Sequence, residues 1–383
     1  MELMIFHEIL NNETVIAILE NNYSKALRDI IAFSEKYAIT SSAVKEYIVS
    51  LLTEENNIFS ELAEQGKKIG EDLYNAALSD IDKIYELLFS VPIKYSPSGN
   101  EVHFADEYKK SVIKMTESKS SKELLDNLCN HYKRLGSGEL SKFVAFKYSE
   151  KIKGVIEDSS VTLDALVGLE YQKEILLSNT RNFVLGQGGN NVLLFGDRGT
   201  GKSSSVKALL NEFKDIGLRM IEIPKQKIKE IPELINYLSK KPNKYILFLD
   251  DLTFETHDSE YRSLKIAMDG QLEAHPDNVL IYATSNRRHL IKENWSDRNG
   301  GEVHVNDNMQ ETLSLSERFG ISLVFSSPNQ AEYLNVVKEL LKKQGIEADA
   351  EIERKAIVWQ MNYGGRNPRL AKQFVSDFIS KEK

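Results

Sequence analysis

The first 155 residues are patterned with a helical period. Val44, Tyr47, Ile48, Leu51 and Leu52 recur at steps of three, one, three and one, which gathers them on one helical face, with Ser41 and Ser42 as candidate caps. Leu73, Ala76, Ala77, Ile81, Ile84, Leu87 and Leu88 repeat the pattern. It breaks at Pro92, Pro97 and Gly99, resumes near Ser121 with Leu124, Leu125, Leu128 and Tyr132, and turns again at Gly136-Ser137-Gly138. Such stripes predict the core seams of a helical bundle or, as the alternative, a helix-in-groove surface for a partner. A second break falls at Glu157–Ser160.

Beyond it the pattern changes. Leu163–Val184 reads as one helix, and Gly186-Gln187-Gly188-Gly189 turns the chain into an apolar run that ends at Gly196. Further short apolar runs follow at Leu218–Ile223, Tyr245–Leu249, Val279–Ala283 and Ile321–Phe325, most of them separated by helical patterns. Buried runs alternating with helices predict a parallel sheet covered on both faces. From Pro328 onward only helical segments appear, near 329–344, 349–362 and 367–381. The expected architecture is α/β, with residues 1–157 as a helical N-terminal domain, 158–327 as an α/β core and 328–383 as a helical lid.

The chemistry concentrates where the first apolar run stops. Residues 196–203 read Gly-Asp-Arg-Gly-Thr-Gly-Lys-Ser, between a predicted strand and a predicted helix from Ser204 to Phe213. This is the spacing of a phosphate-binding loop in its strand–loop–helix setting. Backbone N–H groups wrap a phosphate, so side chains must be absent at Gly196 and Gly201, and the helix start adds its partial positive charge. In this reading Gly196, Asp197, Arg198, Gly199, Thr200, Gly201 and Ser204 shape the loop. Lys202 brings a point charge to the outer phosphates, and Ser203 offers a hydroxyl to Mg2+.

Two other strand ends fit the same site. Tyr245–Leu249 runs into Asp250 and Asp251. A phosphate-loop protein needs a carboxylate at a neighbouring strand end to hold the metal, a role for Asp250, while Asp251 orients or deprotonates the attacking water. Glu255 is a second candidate base. Val279–Ala283 leads to Asn286, placed to hydrogen-bond a γ-phosphate or the adjacent water, although turn-forming asparagines are also common at such ends. Arg318 precedes the last apolar run, and Arg369, with Arg366 as its rival, opens the last helix.

Together these residues resemble the AAA+ ATPases across about residues 161–383. The resemblance implies a P-loop AAA+ core, ATP and Mg2+ as cofactors, and oligomers with sites at subunit interfaces. Leu166-Val167-Gly168-Leu169 resembles the segment that packs against adenine, giving Val167 and Gly168 a binding role. Asn286 matches the first sensor, Arg318 the arginine finger, and Arg369 the second sensor in the lid. The stretches Asn190–Ser204, Leu249–Glu255 and Tyr282–Leu290 look more narrowly like a bacterial family of predicted ATPases called domain of unknown function 815. Leu124–Phe146 resembles that family's region ahead of its ATPase core. Many AAA+ proteins carry Asp-Glu where this chain has Asp250-Asp251, a pair shared with AAA+ replication initiators; the shorter acid implies slow turnover or a role for Glu255. The segment Pro224–Glu230 lacks the aromatic loop of protein-threading rings, which argues against an unfoldase, and its Lys225, Lys227 and Lys229 read either as a solvated loop or as a track for a phosphate backbone.

Composition narrows the expectation further. The net charge is −8, of which residues 1–160 carry roughly −7, an acidic balance that argues against broad nucleic-acid or membrane-surface binding. A single cysteine, Cys129, excludes an internal disulfide and suits a reducing compartment. The opening residues lack a signal peptide's basic flank, and no run approaches the ~18 apolar residues of a membrane span, so a cytoplasmic protein is expected. The expected function is an ATP hydrolase that remodels or loads a partner macromolecule, with a homo-oligomer and a protein bound through the helical N-terminal domain as partners. The alternatives are a slow nucleotide-dependent switch or a loader acting on DNA.

Overall fold

The structure, a computed structural model, describes residues 1–37, 42–91, 95, 104–254, 259–269, 276–286 and 318–382. The chain divides into two units, residues 1–157 with 237–244, and residues 158–236 with 245–383.

The first unit is built from α1 (Glu13–Leu19), α2 (Tyr23–Tyr37), α3 (Ala43–Glu54), α4 (Ile58–Glu64), α5 (Glu71–Ser90), α6 (Asp106–Thr116), α7 (Ser121–Leu135) and the short α8 (Glu139–Lys142). The seam residues Val44, Ile48, Leu52, Ala77, Ile81, Ile84, Leu124, Leu125, Leu128 and Tyr132 form one buried core. Caps set the helix starts. Asn12 accepts from the N–H groups of Thr14 and Val15, Asn57 and Ser60 form a capping box, and Ser120 accepts from Glu123. Ser42 stands at the start of α3 without a side-chain capping bond, and Ser41 lies outside the described residues.

Two features were not legible in the helical pattern. A hairpin, β1 (Ala145–Tyr148) and β2 (Ile152–Val155), closes the first unit, so the region is not helical throughout. Residues 237–244 also belong to this unit. Lys241 extends its ammonium 2.7 Å from Glu64 Oε2, both side chains being almost fully buried, and Glu64 Oε1 accepts the Ser137 N–H at 2.6 Å.

The second unit begins with α9 (Glu170–Val184), later than the pattern suggested. Leu163–Ala165 forms only a single 3-10 turn, and Gly168, at φ +80°, breaks the path between them. Strands β3 (Val192–Gly196), β4 (Leu218–Glu222), β5 (Lys244–Leu249), β6 (Val279–Ser285) and β7 (Ile321–Phe325) follow, with α10 (Lys202–Phe213), α11 (Ile231–Ser239) and α12 (Ser259–Asp269) among them. Their order across the sheet is β4-β5-β6-β3-β7. β3 pairs in parallel with β6 and with β7, and β5 in parallel with β6. Val192, Leu193, Leu194 and the residues from Tyr245 to Leu249 are fully buried, which explains their unbroken apolar runs. Last come α13 (Gln330–Lys342), α14 (Ala350–Asn362) and α15 (Pro368–Glu382). They pack around Tyr333, Val337, Leu341, Ala356, Ala371 and Phe374, with Val167 against the same cluster. The architecture is the α/β one expected: a mostly parallel sheet with a phosphate-loop motif after β3 and three helices at the C-terminal end, preceded in the chain by a largely helical region.

Candidate nucleotide site

The loop after β3 has a shape only glycine permits. Gly196 sits at φ +133°, and a β-carbon there would stand 2.2 Å from the carbonyl oxygen of Phe325 on β7. Gly199 and Gly201 also have positive φ, at +76° and +102°. Beside Gly199 lies the side chain of Asn367, whose Oδ1 accepts from Leu370 N–H at the start of α15; beside Gly201 lies Leu169. The loop is therefore held between the sheet, the Leu166–Leu169 segment and the last helix.

Asp197 and Thr200 fix the loop from within. Thr200 donates its hydroxyl to the Asp197 carbonyl at 2.8 Å, and Asp197 Oδ2 accepts from Ser327 N–H at 2.8 Å. The Ser327 hydrogen bonds hold the Asp197 carboxyl below the usual range. Lys202 opens α10 and turns its ammonium back over the loop, within 2.9 Å of the Gly196 carbonyl, 2.6 Å of the Asp197 carbonyl and 3.2 Å of Asn286 Oδ1. Burial lowers its pKa, opposed by Asp197, Asp251 and Asp250.

The strand ends converge as the motifs required. Ser203 donates to Asp250 Oδ1 at 2.6 Å, and Asn286 Nδ2 donates to Asp251 Oδ1 at 2.5 Å. Thr284, which the sequence reading passed over as the end of a buried strand, stands between the two acids. Its hydroxyl lies 2.5 Å from Asp250 Oδ1 and 2.8 Å from the Asp251 nitrogen.

These groups face a cleft of about 740 Å³. Its phosphate-loop wall comprises Arg198, Gly199, Thr200, Gly201, Lys202, Ser203 and Ser204, facing Asp250, Asp251, Thr284 and Asn286. An apolar wall of Leu166, Val167, Leu169, Val336 and Leu340 stands beside Arg369, Lys372 and Gln373 from α15. That volume suits a small molecule with an apolar part and an anionic part. Gly196 and Asp197 underpin the loop without lining the cleft, and Gly168 supplies the turn beside Val167. Arg366 donates to Gln360 at 3.1 Å, so of the two arginines it is Arg369 that faces the cleft. Lys372 and Gln373 were missed because, in sequence, they read as polar positions on a surface helix.

Two further candidates, Glu255 and Arg318, remain to be placed. Glu255 lies outside the described residues. Arg318 stands three residues before Ile321, which pairs with Val192 at the start of β3, whereas the loop leaves from Gly196 at the other end. Strand rise puts roughly 15 Å between Arg318 and its own loop.

The residues present fit a magnesium nucleotide. Gly196, Gly199 and Gly201 keep side chains out of the loop, Lys202 offers a cation, and Ser203 with Asp250 forms an oxygen donor set of the kind Mg2+ takes. Among the described residues no cluster of three or more His, Cys, Asp or Glu offers a transition-metal site. No helix among them is long and apolar enough to cross a membrane. Each lysine of the Pro224–Glu230 segment is engaged locally. Lys227 pairs with Glu230 at 2.7 Å, Lys229 with Glu260 at 3.5 Å, and Lys225 lies 5.5 Å above the Phe254 ring.

The chain belongs to the family described as "Protein of unknown function (DUF815)", whose model matches residues 141–382. No curated protein matches it. Among solved structures it is similar to the Thermotoga maritima RuvB Holliday junction branch migration motor, at 15% identity and TM-score 0.35, over 56% of this chain and 71% of that one. A DNA replication initiation factor matches at 18% identity and TM-score 0.37, over 59% and 66%. The Aeropyrum pernix Orc1 protein in complex with DNA matches at 15% identity and TM-score 0.41, over 59% and 64%.

Proposed function

We propose that this chain is a Mg2+-dependent ATP hydrolase of AAA+ type whose turnover drives the remodelling or loading of a partner macromolecule. The observation that carries the reading is the joining of three strand ends: Ser203 on Asp250, Asn286 on Asp251, and Lys202 over the glycine loop. In this account the loop amides and Lys202 hold the phosphates, and Leu166, Val167, Leu169, Val336 and Leu340 enclose the base. Ser203 and Asp250 hold Mg2+, which when bound neutralises phosphate charge. Water attacks the γ-phosphorus as the bond to the β-phosphate oxygen breaks, and the water's proton passes to Asp251 or, alternatively, to Glu255. Arg369 and Lys372 read phosphate charge from α15. Arg318, too far from its own loop, completes the site of a neighbouring copy. The helical unit takes the protein partner, and the single cysteine fits a cytoplasmic setting.

A slow switch is the second reading, and one contact favours it: the short carboxylate of Asp251 is already bound by Asn286 at 2.5 Å. The paired lysines of the Pro224–Glu230 segment give a DNA-loading role no support. Calorimetric titration of ATP into the full chain with Mg2+ tests the site. Wild type binds, and Lys202→Ala binds at least about tenfold more weakly. Equal binding by the two proteins would remove the assignment.

A further inference from the structure

We propose that Thr284 is a positioning residue of this site: its hydroxyl fixes Asp250 as the metal-side carboxylate and locks the left-handed turn that aims Asp251 at Asn286. The inference rests on reading the cleft as a magnesium-nucleotide site and goes beyond it, by naming what sets the two acids in their separate roles.

A threonine hydroxyl has one proton to give and lone pairs to accept with. The Asp251 nitrogen, 2.8 Å away, can only donate, so Thr284 accepts there. Its own proton is left for Asp250 Oδ1 at 2.5 Å, which requires that oxygen to accept. Ser203 donates to the same Oδ1 at 2.6 Å. Two hydroxyls thus converge on one oxygen of Asp250, which leaves Oδ2 as the atom to face a metal ion. Carboxylates that ligate metals are commonly oriented in this way by partners outside the coordination shell.

Asp251 has φ +53°, one of only two non-glycine residues with positive φ among the described residues. Such a conformation costs free energy and persists where surrounding bonds over-determine it. Those bonds are present. Thr284 Oγ1 takes the Asp251 N–H, the Thr284 carbonyl takes the Leu252 N–H at 2.7 Å, and Ser285 donates to the Leu252 carbonyl at 2.8 Å. An aspartate reaches about 1.5 Å less far than the glutamate many AAA+ proteins carry at this place. The left-handed turn re-aims the shorter side chain, and its carboxylate meets Asn286 Nδ2 at 2.5 Å. Thr284 is therefore the link between the strand end that holds the metal and the residue that faces the water.

A buried hydroxyl at a strand end can also be satisfied simply to avoid an unmet bond, so the test must separate positioning from packing. Thr284→Val keeps the shape and loses the hydroxyl, whereas Thr284→Ser keeps the hydroxyl and loses a methyl. The probe is Mn2+, titrated by electron paramagnetic resonance into the full chain saturated with a non-hydrolysable ATP analogue; circular dichroism checks the fold. Thr284→Val is expected to weaken Mn2+ binding about tenfold or more, and Thr284→Ser to remain within about twofold of wild type. Metal-free affinity for the analogue should be unchanged in both. Wild-type Mn2+ affinity in a folded Thr284→Val, or equal loss in the valine and serine variants, would overturn the role of Thr284 alone. Should Thr284→Val not fold, the serine variant decides: a tenfold loss there overturns the proposal, and a near-wild-type value supports it. Failure of the wild type to bind the analogue at all would overturn the nucleotide reading and this inference with it.

Discussion

Gly196 and Phe325 meet where the phosphate loop leaves the sheet: a β-carbon on Gly196 would stand 2.2 Å from the Phe325 carbonyl oxygen. That oxygen also accepts the Asp197 N–H at 2.9 Å, so it cannot withdraw without breaking the first bond of the loop. At φ +133° the position is closed to side chains by backbone conformation as well as by space. Gly196→Ala is expected to destabilise the second unit by about 2 kcal/mol or more and to abolish nucleotide binding. Thermal denaturation with and without Mg-ATP reports both effects.

Arg318 stands at the opposite end of β7 from the loop, so its contribution should come from a neighbouring copy. Arg318→Ala is expected to lower turnover about a thousandfold while leaving ATP affinity near wild type. Mixed with Asp251→Asn, it should recover turnover, because some interfaces then combine an intact arginine with an intact acid. Phosphate release from the separate and mixed variants checks this, and silence of the mixture would argue against a shared site.

Glu55 in the first unit makes a pH prediction. Burial, reinforced by Glu8, pushes its carboxyl up to about 7, against an opposing hydrogen bond from Ile9 N–H. A carboxyl raised on folding favours the protonated state, so its contribution is full below the unfolded value near 4.5 and is lost as pH rises through about 7. His131 acts in the opposite sense. Burial, with Lys142 and Arg134 adding to it, lowers its pKa to about 3, and stability is lost as pH falls below about 6.5. Glu55→Gln isolates the first effect. The variant should gain on wild type by about 1 kcal/mol between pH 5 and pH 8, measured by denaturant unfolding.

Lys241 and Glu64 form a buried pair that ties residues 237–244 into the first unit. Removing one charge strands the other, buried and uncompensated. Lys241→Met is expected to cost about 3–5 kcal/mol, and adding Glu64→Gln should recover part of the loss. A double-mutant cycle by chemical denaturation measures the coupling.

Much of the second unit could be read from the chain because its signals are local. Val192–Gly196 is apolar on every position since both faces of the strand are buried, and Gly196–Ser203 fixes loop, charge and helix start in eight residues. The strand ends carrying Asp250 and Asn286 were legible for the same reason, as apolar runs meeting polar residues. What escaped depends on contacts distant in sequence. Thr284 looks like the last residue of a strand until Asp250 and Asp251 are brought beside it. Lys372 and Gln373 become cleft residues only when α15 packs against α13. The hairpin Ala145–Val155 alternates weakly: Lys147 and Lys153 face each other on its exposed side, and Gly154 is a glycine because Phe143 fills the space a β-carbon would need. Leu163–Val184 read as one helix because its apolar spacing continues across Gly168, where the backbone does not.

The most direct test of the account is steady-state phosphate release from Mg-ATP by the full chain, beside the Asp251→Asn variant. The account predicts many turnovers per chain for wild type, and a loss of about a hundredfold or more in the variant with ATP binding retained. Equal turnover by the two proteins would contradict the role of Asp251. A wild type that binds ATP yet releases no more than one phosphate per chain would contradict hydrolysis as the output and leave the switch in its place.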